Sequence, residues 1–214
     1  MTATIAVVDY GMGNRRSVEK ALAHVGARVI LSGEPSVLRS AAGLVVPGVG
    51  AFPRGMQELR ARGLDTLLRS RLQDGVPVLG VCLGMQLFME GSDELGGAEG
   101  LGWVRGQVRH LAPSGSEKLP HIGWNEVCWT APSPLRDGLP DRSAFYHVHS
   151  YAVVPAHADA VLARADYGGE FVTAVQREPF FGVQFHPEKS SVHGLRVLAN
   201  FLACCTAGAP AVAA

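Results

Sequence analysis

Several things are scarce in this sequence, and each scarcity excludes something. Cysteine occurs only at positions 82, 128, 204 and 205, with no C-x-x-C spacing. A disulfide framework or a thiolate zinc site is therefore not expected, and a reducing compartment fits better. An excess of either charge is missing too, since 19 basic residues face 19 acidic ones. That balance gives no electrostatic reason to expect a nucleic acid or an anionic membrane as partner. No apolar run reaches the ~18 residues of a membrane span. The N-terminal stretch lacks a basic region followed by an apolar one with a cleavage site, so a cytoplasmic location is expected. Internal repeats and long linkers are also lacking. Hydrophobic residues nevertheless make up 47% of the 214, enough for a sizeable core in a single domain.

The stretch that organises the chain is Val76-Pro77-Val78-Leu79-Gly80-Val81-Cys82-Leu83-Gly84-Met85-Gln86. Its near-continuous apolar run predicts a strand covered on both faces. Cys82 follows at once, between Gly80 and Gly84, and Met85 to Glu90 are fair helix formers. G-x-C-x-G between a strand and a helix is the thiol form of the nucleophile elbow. The glycines leave room for close backbone approach. A free thiol, pKa about 8.5, is only a few per cent thiolate at neutral pH. A helix start and a nearby cation lower that value.

Upstream, strand and helix alternate. Thr4 to Asp9 predicts a first strand, and Tyr10-Gly11-Met12-Gly13-Asn14 a glycine turn with Asn14 as helix cap. Val18, Leu22 and Val25 share a helix face, and Ala27 to Leu31 reads as a second strand. The turn is not a dinucleotide fingerprint, because Arg16 stands where G-x-G-x-x-G needs glycine. Leu44 to Val46 is a third strand, running into Pro47-Gly48-Val49-Gly50. Backbone N–H groups there lie at a strand's carboxyl end, where open α/β sheets bind ligands. Met56 to Arg62 and Leu64 to Gln73 look helical. The fold class is α/β, with a mostly parallel central sheet flanked by helices.

After Gly91 the character changes. Ser92 to Gly102 reads as a loop. Short strand-like runs follow at 103–110, 124–129, 144–154, 161–165, 171–176 and 180–185, with prolines between them. They predict a mixed or antiparallel extension of the same sheet in the C-terminal half. Ser190 is placed to cap a final helix whose buried side is Val192, Leu195, Leu198, Phe201 and Leu202. The single domain is expected to run over 1–205, with a disordered tail over 206–214.

Gly182-Val183-Gln184-Phe185-His186-Pro187-Glu188 is the second informative stretch. Period-two geometry sends His186 and Glu188 to the same side. A carboxylate there can hold one ring nitrogen while the other meets a nucleophile, the base-plus-orienter logic of a catalytic triad. Cys82 and His186 lie far apart in sequence. Both follow apolar strands, whose ends in a parallel sheet share one edge.

These residues resemble the class I glutamine amidotransferases, whose triad runs Cys, His, Glu. Asp9 to Asn14, Pro47 to Gly50, Pro120-His121-Ile122-Gly123-Trp124-Asn125, His149-Ser150-Tyr151 and His186 to Ser190 are similar to one branch, the glutaminase subunits of imidazole glycerol phosphate synthase. Arg15, where Leu is commoner, and His147, inside an aromatic-aliphatic run, depart from that branch. The resemblance spans residues 5 to 203. It implies hydrolysis of glutamine to glutamate and ammonia by Cys82, His186 and Glu188. The oxyanion would be met by Leu83 and the Val49-Gly50 segment. Glutamine would be held near Gly50, Gly84, Gln86, Ser150 and Tyr151. The partner would be a cyclase with a (β/α)-barrel fold, forming a heterodimer that takes the ammonia into histidine biosynthesis. Trp124, Asn125, Tyr146, His149 and Lys189 would face it. No cofactor and no metal is implied. Three alternatives stay open: the glutaminase of another synthase, such as the pyridoxal phosphate or anthranilate system; an idle scaffold subunit; and a plain cysteine hydrolase or esterase.

Overall fold

Residues 3–207 are described by a computed structural model. The strands are β1 (Thr4–Val8), β2 (Arg28–Ser32), β3 (Gly43–Gly48), β4 (Val78–Cys82), β5 (Gly91–Ser92), β6 (Ala98–Glu99), β7 (Gly106–His110), β8 (His121–Trp129), β9 (Arg142–His149), β10 (Tyr151–Pro155), β11 (Val161–Asp166), β12 (Glu170–Arg177) and β13 (Phe180–Val183). The α-helices are α1 (Arg15–His24), α2 (Pro35–Ser40), α3 (Phe52–Ala61), α4 (Leu64–Gln73), α5 (Leu83–Gln86) and α6 (Ser191–Ala207).

One sheet carries the fold, in the order β2-β1-β3-β4-β13-β12-β10-β7-β5-β6, with β11, β8 and β9 branching from β12. From β2 to β13 every pairing is parallel. From β13 to β7, and along the branch, every pairing is antiparallel. The expected division into a parallel core and an antiparallel extension is what the structure has.

Apolar residues alternate between the two faces, as the pleat requires. Ile5, Val7, Val45, Leu79 and Val81 pack with Val18 and Leu22 of α1 and Val197, Leu198 and Phe201 of α6. Ala6, Val8, Leu44, Val46 and Val78 pack with Phe52, Met56 and Leu59 of α3 and Leu64, Leu67, Leu68 and Leu72 of α4. Covering on both faces is why β3 and β4 read as unbroken hydrophobic runs.

Some local expectations fail for identifiable reasons. Asn14 makes no side-chain cap hydrogen bond. Ser190 has other work: its hydroxyl donates to the His186 carbonyl at 2.6 Å and accepts the Tyr146 N–H at 3.0 Å. Val192 is 70% exposed, because α6 turns Gly194, Val197, Leu198, Phe201 and Cys205 inward instead. Helix α2, opened by Pro35, falls where no periodicity was visible. The run 144–154 breaks at Ser150 into two strands. Thr206 belongs to α6, which ends at Ala207; positions 208–214 of the expected tail lie outside the described residues.

Candidate active site

Cys82 sits where β4 meets α5, with φ 55° and ψ −116°. For a residue with a Cβ such a backbone costs about 1–3 kcal/mol and persists only where the surroundings over-determine it. Here glycines let the short helix press onto the sheet. A Cβ on Gly84 would lie 1.8 Å from the Val46 carbonyl oxygen, one on Gly80 2.7 Å from the Gly84 oxygen, and one on Gly182 2.5 Å from Met85 Cγ. Gly48 is closed in the same way, 2.6 Å from the Tyr10 hydroxyl, which itself donates to the Pro47 carbonyl at 2.7 Å. The glycines of the motif thus serve backbone packing more than substrate access. Helix α5 spans only Leu83 to Gln86, shorter than the run of helix formers promised, since Gly91 and Ser92 enter a strand. Its dipole is correspondingly small, and any charge help for the sulfur has to come from side chains.

Strand β13 lies parallel to β4, with Val183 opposite Val81. The next residue of each chain is therefore Gln184 beside Cys82, and His186 follows two residues on. The sequence separation is bridged by this one strand pairing. Gln184 Nε2 donates to Cys82 Sγ at 3.5 Å, and the sulfur lies 3.8 Å from the Val148 carbonyl. His186, 3% exposed, is bonded through Nδ1 to Glu188 Oε1 at 3.0 Å. Nε2 is left for the sulfur. Burial alone would lower the His186 pKa. Hydrogen bonds to Cys82 and Glu188, with the negative charges of both, outweigh burial and push it up to about 10. The Glu188 side chain is 1% exposed.

The sulfur opens into a cavity of about 330 Å³, lined by Val49, Gly50, Leu83, Gln86, Glu94, Pro120, Val148, His149, Ser150, Tyr151, His186 and Lys189. That lies at the small end of the ~300–1,000 Å³ usual for small-molecule sites. A larger cavity of about 520 Å³, beside Arg109, His110 and Arg164, has no cysteine in its lining.

A second histidine on the same wall is held quite differently. His149, 6% exposed, donates from Nδ1 to the Tyr151 carbonyl at 2.9 Å, and its Nε2 lies 3.1 Å from His121 Nδ1. The carbonyl accepts only, so the proton sits on Nδ1, and His149 Nε2 must accept from His121. His121 Nε2 then accepts from Asn125 at 3.4 Å. Burial is the main cause that lowers the His149 pKa, to about 3, helped by its histidine neighbours. His147 is buried nearby and accepts from the Thr173 hydroxyl at 2.8 Å; burial and the adjacent histidines hold it well below the ordinary histidine value. Among the described residues no group of three or more His, Cys, Asp or Glu is arranged to hold a metal ion.

The sequence model described as glutamine amidotransferase class-I matches residues 6–205 of this chain. The chain belongs to that family. Among this amidotransferase's relatives, the imidazole glycerol phosphate synthase subunit HisH of Aromatoleum aromaticum is 48% identical, over 92% of this chain and 97% of the relative. That of Moorella thermoacetica is 47% identical over 92% and 93%, and that of Pseudomonas putida 47% over 94% and 97%. Among solved structures, a glutamine amidotransferase aligns with TM-score 0.75 at 19% identity, covering 94% of this chain and 98% of that one. PurLQS from Thermotoga maritima aligns with TM-score 0.74 at 19% identity, over 95% and 99%. These two show that the fold is shared.

Most of the residues singled out from sequence meet at the cavity: Cys82, Leu83, Val49, Gly50, Gln86, Ser150, Tyr151 and His186 line it together. Gly84 is packed on the Val46 carbonyl beneath the cavity floor. His149 faces the cavity and is buried, whereas Trp124 is 55% exposed. Sequence reasoning missed Glu94, Pro120 and Val148 on the lining, and Gln184 on the sulfur. For Gln184 a signal existed: it is a polar residue inside an apolar strand, two positions before His186 and on its side. Arg15 pairs with Asp9 at the glycine turn, and His147 fits its position as a hydrogen-bonded neutral ring.

Proposed function

We propose that this amidotransferase is the glutaminase subunit of an imidazole glycerol phosphate synthase. It hydrolyses glutamine and passes the ammonia to a separate cyclase subunit with a (β/α)-barrel fold. The observation that carries the chemistry is Cys82 and His186 lining one cavity, with the buried Glu188 bonded to the far nitrogen of His186. The 44–48% identity to HisH subunits over nearly the whole chain carries the choice of synthase.

In this reading the Cys82 proton passes to His186 Nε2. The thiolate attacks the carboxamide carbon and the tetrahedral oxyanion forms. The imidazolium, oriented by Glu188, gives its proton to the leaving ammonia, and a thioester remains. Water, deprotonated by His186, then cleaves the thioester to glutamate and regenerates the sulfur. The Leu83 N–H, next after the nucleophile, is one oxyanion donor. The second comes from the Val49-Gly50 segment, and loss of one such donor costs about 3–4 kcal/mol of barrier. Gly50 has φ +99°, and a Cβ there would meet only the Met12 methyl, at 3.1 Å. Val49 is 45% exposed. The freedom to turn this donor on or off therefore resides at Gly50, because Gly48 is locked by packing.

Gln86 is 5% exposed, and both of its N–H groups have partners, the Tyr151 carbonyl and Gln184 Oε1, each at 3.0 Å. Only its oxygen is left to accept, which suits the ammonium of glutamine and not the carboxylate. Glu94, on the same lining, adds a charge suited to that ammonium. The docking face is the outer side of β8 and β9. Ile122 and Trp124 are 59% and 55% exposed, the Trp124 and Tyr146 rings are 6.2 Å apart, and Lys189 Nζ lies 5.7 Å over the Tyr146 ring. Pro120 and Lys189 border both this face and the cavity, a short way out for ammonia. His149 lies beneath the face rather than on it.

The test is glutamate release by the full chain mixed with a cyclase subunit and the cyclase's nucleotide ligand. Cys82→Ala is expected to abolish glutamine-dependent synthesis and to leave synthesis from added ammonium salts intact. Retained glutaminase in that variant, or ester turnover without ammonia release in the wild type, would overturn the reading.

A further inference from the structure

The Cys82 sulfur has a neighbour that no triad requires. Gln184 is 0% exposed and follows directly on β13, whose last pair is Val183 with Val81, so that its side chain reaches Cys82. A buried amide without partners is costly, so its placement depends on what it bonds to. We propose that Gln184 is a further catalytic group, whose side-chain N–H stabilises the thiolate form of Cys82 at attack and again when the sulfur departs. The proposal rests on the reading of Cys82 as the nucleophile.

The amide orientation follows from chemistry and not from the placement of atoms alone. Gln86 faces the Tyr151 carbonyl, which can only accept, so Gln86 must turn its nitrogen there. The same nitrogen reaches Gln184, so Gln184 must present its oxygen to Gln86 and its nitrogen to Cys82. Reversing Gln86 would set oxygen against oxygen, and reversing Gln184 would set nitrogen against nitrogen. The backbone helps as well, since Gln184 N donates to the Thr173 carbonyl at 2.8 Å. The sulfur thus has two kinds of neighbour. The Val148 carbonyl, at 3.8 Å, accepts only and favours the thiol. The Gln184 N–H, at 3.5 Å, donates and favours the thiolate. His186 takes the proton, while Gln184 transfers none. Being neutral, Gln184 remains a donor through every step. When the thioester breaks, the same N–H meets the sulfur as it regains negative charge.

The experiment is the rate of Cys82 alkylation by iodoacetamide from pH 5 to about 10, read by mass spectrometry on the intact chain. Wild type, Gln184→Leu, Gln184→Glu and Thr173→Val are compared, each checked by circular dichroism. Both Gln184 variants are expected to slow alkylation near neutral pH about tenfold or more, with the midpoint moved upward and the larger move in Gln184→Glu. Gln184→Leu should converge on the wild-type rate at high pH, where the thiolate forms without help. A purely structural role would instead lower the rate equally at every pH. Thr173→Val, which perturbs the same buried region through His147, should leave the profile unchanged. Gln184→Glu is close to isosteric, so it carries the test if Gln184→Leu folds poorly. Profiles coinciding with wild type, or a uniform loss across pH, would overturn the proposal. Because alkylation needs no glutamine, that result is separate from the glutaminase assay of Cys82→Ala, whose failure would overturn the proposed function instead.

Discussion

Two histidines line the same cavity, equally hidden from solvent, and stand on opposite sides of neutrality. His186 is 3% exposed and His149 6%. Burial lowers both. His186 faces a carboxylate and a sulfur and is pushed up to about 10. His149 faces a carbonyl and a second imidazole and is pushed down to about 3. Burial therefore sets how strongly a partner acts, and the partner sets the sign. The charged ring is the one to which the proposed mechanism gives the proton work, while the neutral ring fixes the direction of a hydrogen-bond chain running from Asn125 through His121 to the Tyr151 carbonyl.

The largest break in that contrast should come from Glu188→Gln. It removes the charge that favours imidazolium and lets the ring adopt the wrong tautomer. Glutaminase turnover should fall by about 10²–10⁴, with the melting transition nearly preserved. A fall below tenfold would count against Glu188 as orienter.

Next in size is the pH dependence of stability. His149 has its folded value depressed, so its contribution is complete above its ordinary value of about 6.5 and is lost as pH falls toward about 3. His147 and His121 are lowered too and act in the same direction. Each adds at most about 1.4 kcal/mol per pH unit to the slope. His186 is raised, so its contribution is complete below about 6.5 and is lost as pH rises through about 10. Urea melts from pH 4 to 10 should show stability falling at both ends. His149→Gln should flatten the acid limb only; flattening of the alkaline limb instead would reverse the two assignments.

The smallest effect sharpens the contrast between the two walls of the cavity. Gly50→Ala strains a backbone at φ +99° by about 1–2 kcal/mol. It should lower partner-stimulated turnover severalfold and leave Cys82 alkylation unchanged. A change in alkylation would mean that the loop also positions the sulfur.

The parallel half of the fold was legible because both faces of β1, β3 and β4 are covered, which leaves unbroken apolar runs. The elbow and the His186-Pro187-Glu188 stretch were legible because each is a local device of a few residues. What stayed hidden depends on pairing between distant segments. Nothing local says that Val183 lies beside Val81, and without that register Gln184 is only a polar residue in a strand. The burial of His149 is hidden from a local reading for the same reason: its partner His121 comes from another strand. Ser190 and Val192 misled because capping and helix-face rules assume a helix with a free start, whereas Ser190 already bridges Tyr146 and His186.

That bridge has a consequence of its own. One hydroxyl joins the backbone of the proposed docking strand to that of the proposed base, at 3.0 Å and 2.6 Å, beside a direct bond from the His186 N–H to the Tyr146 carbonyl at 2.9 Å. A subunit that pushes on Tyr146 would move the imidazole through two short hydrogen-bonded links, with no wave of rearrangement through the core.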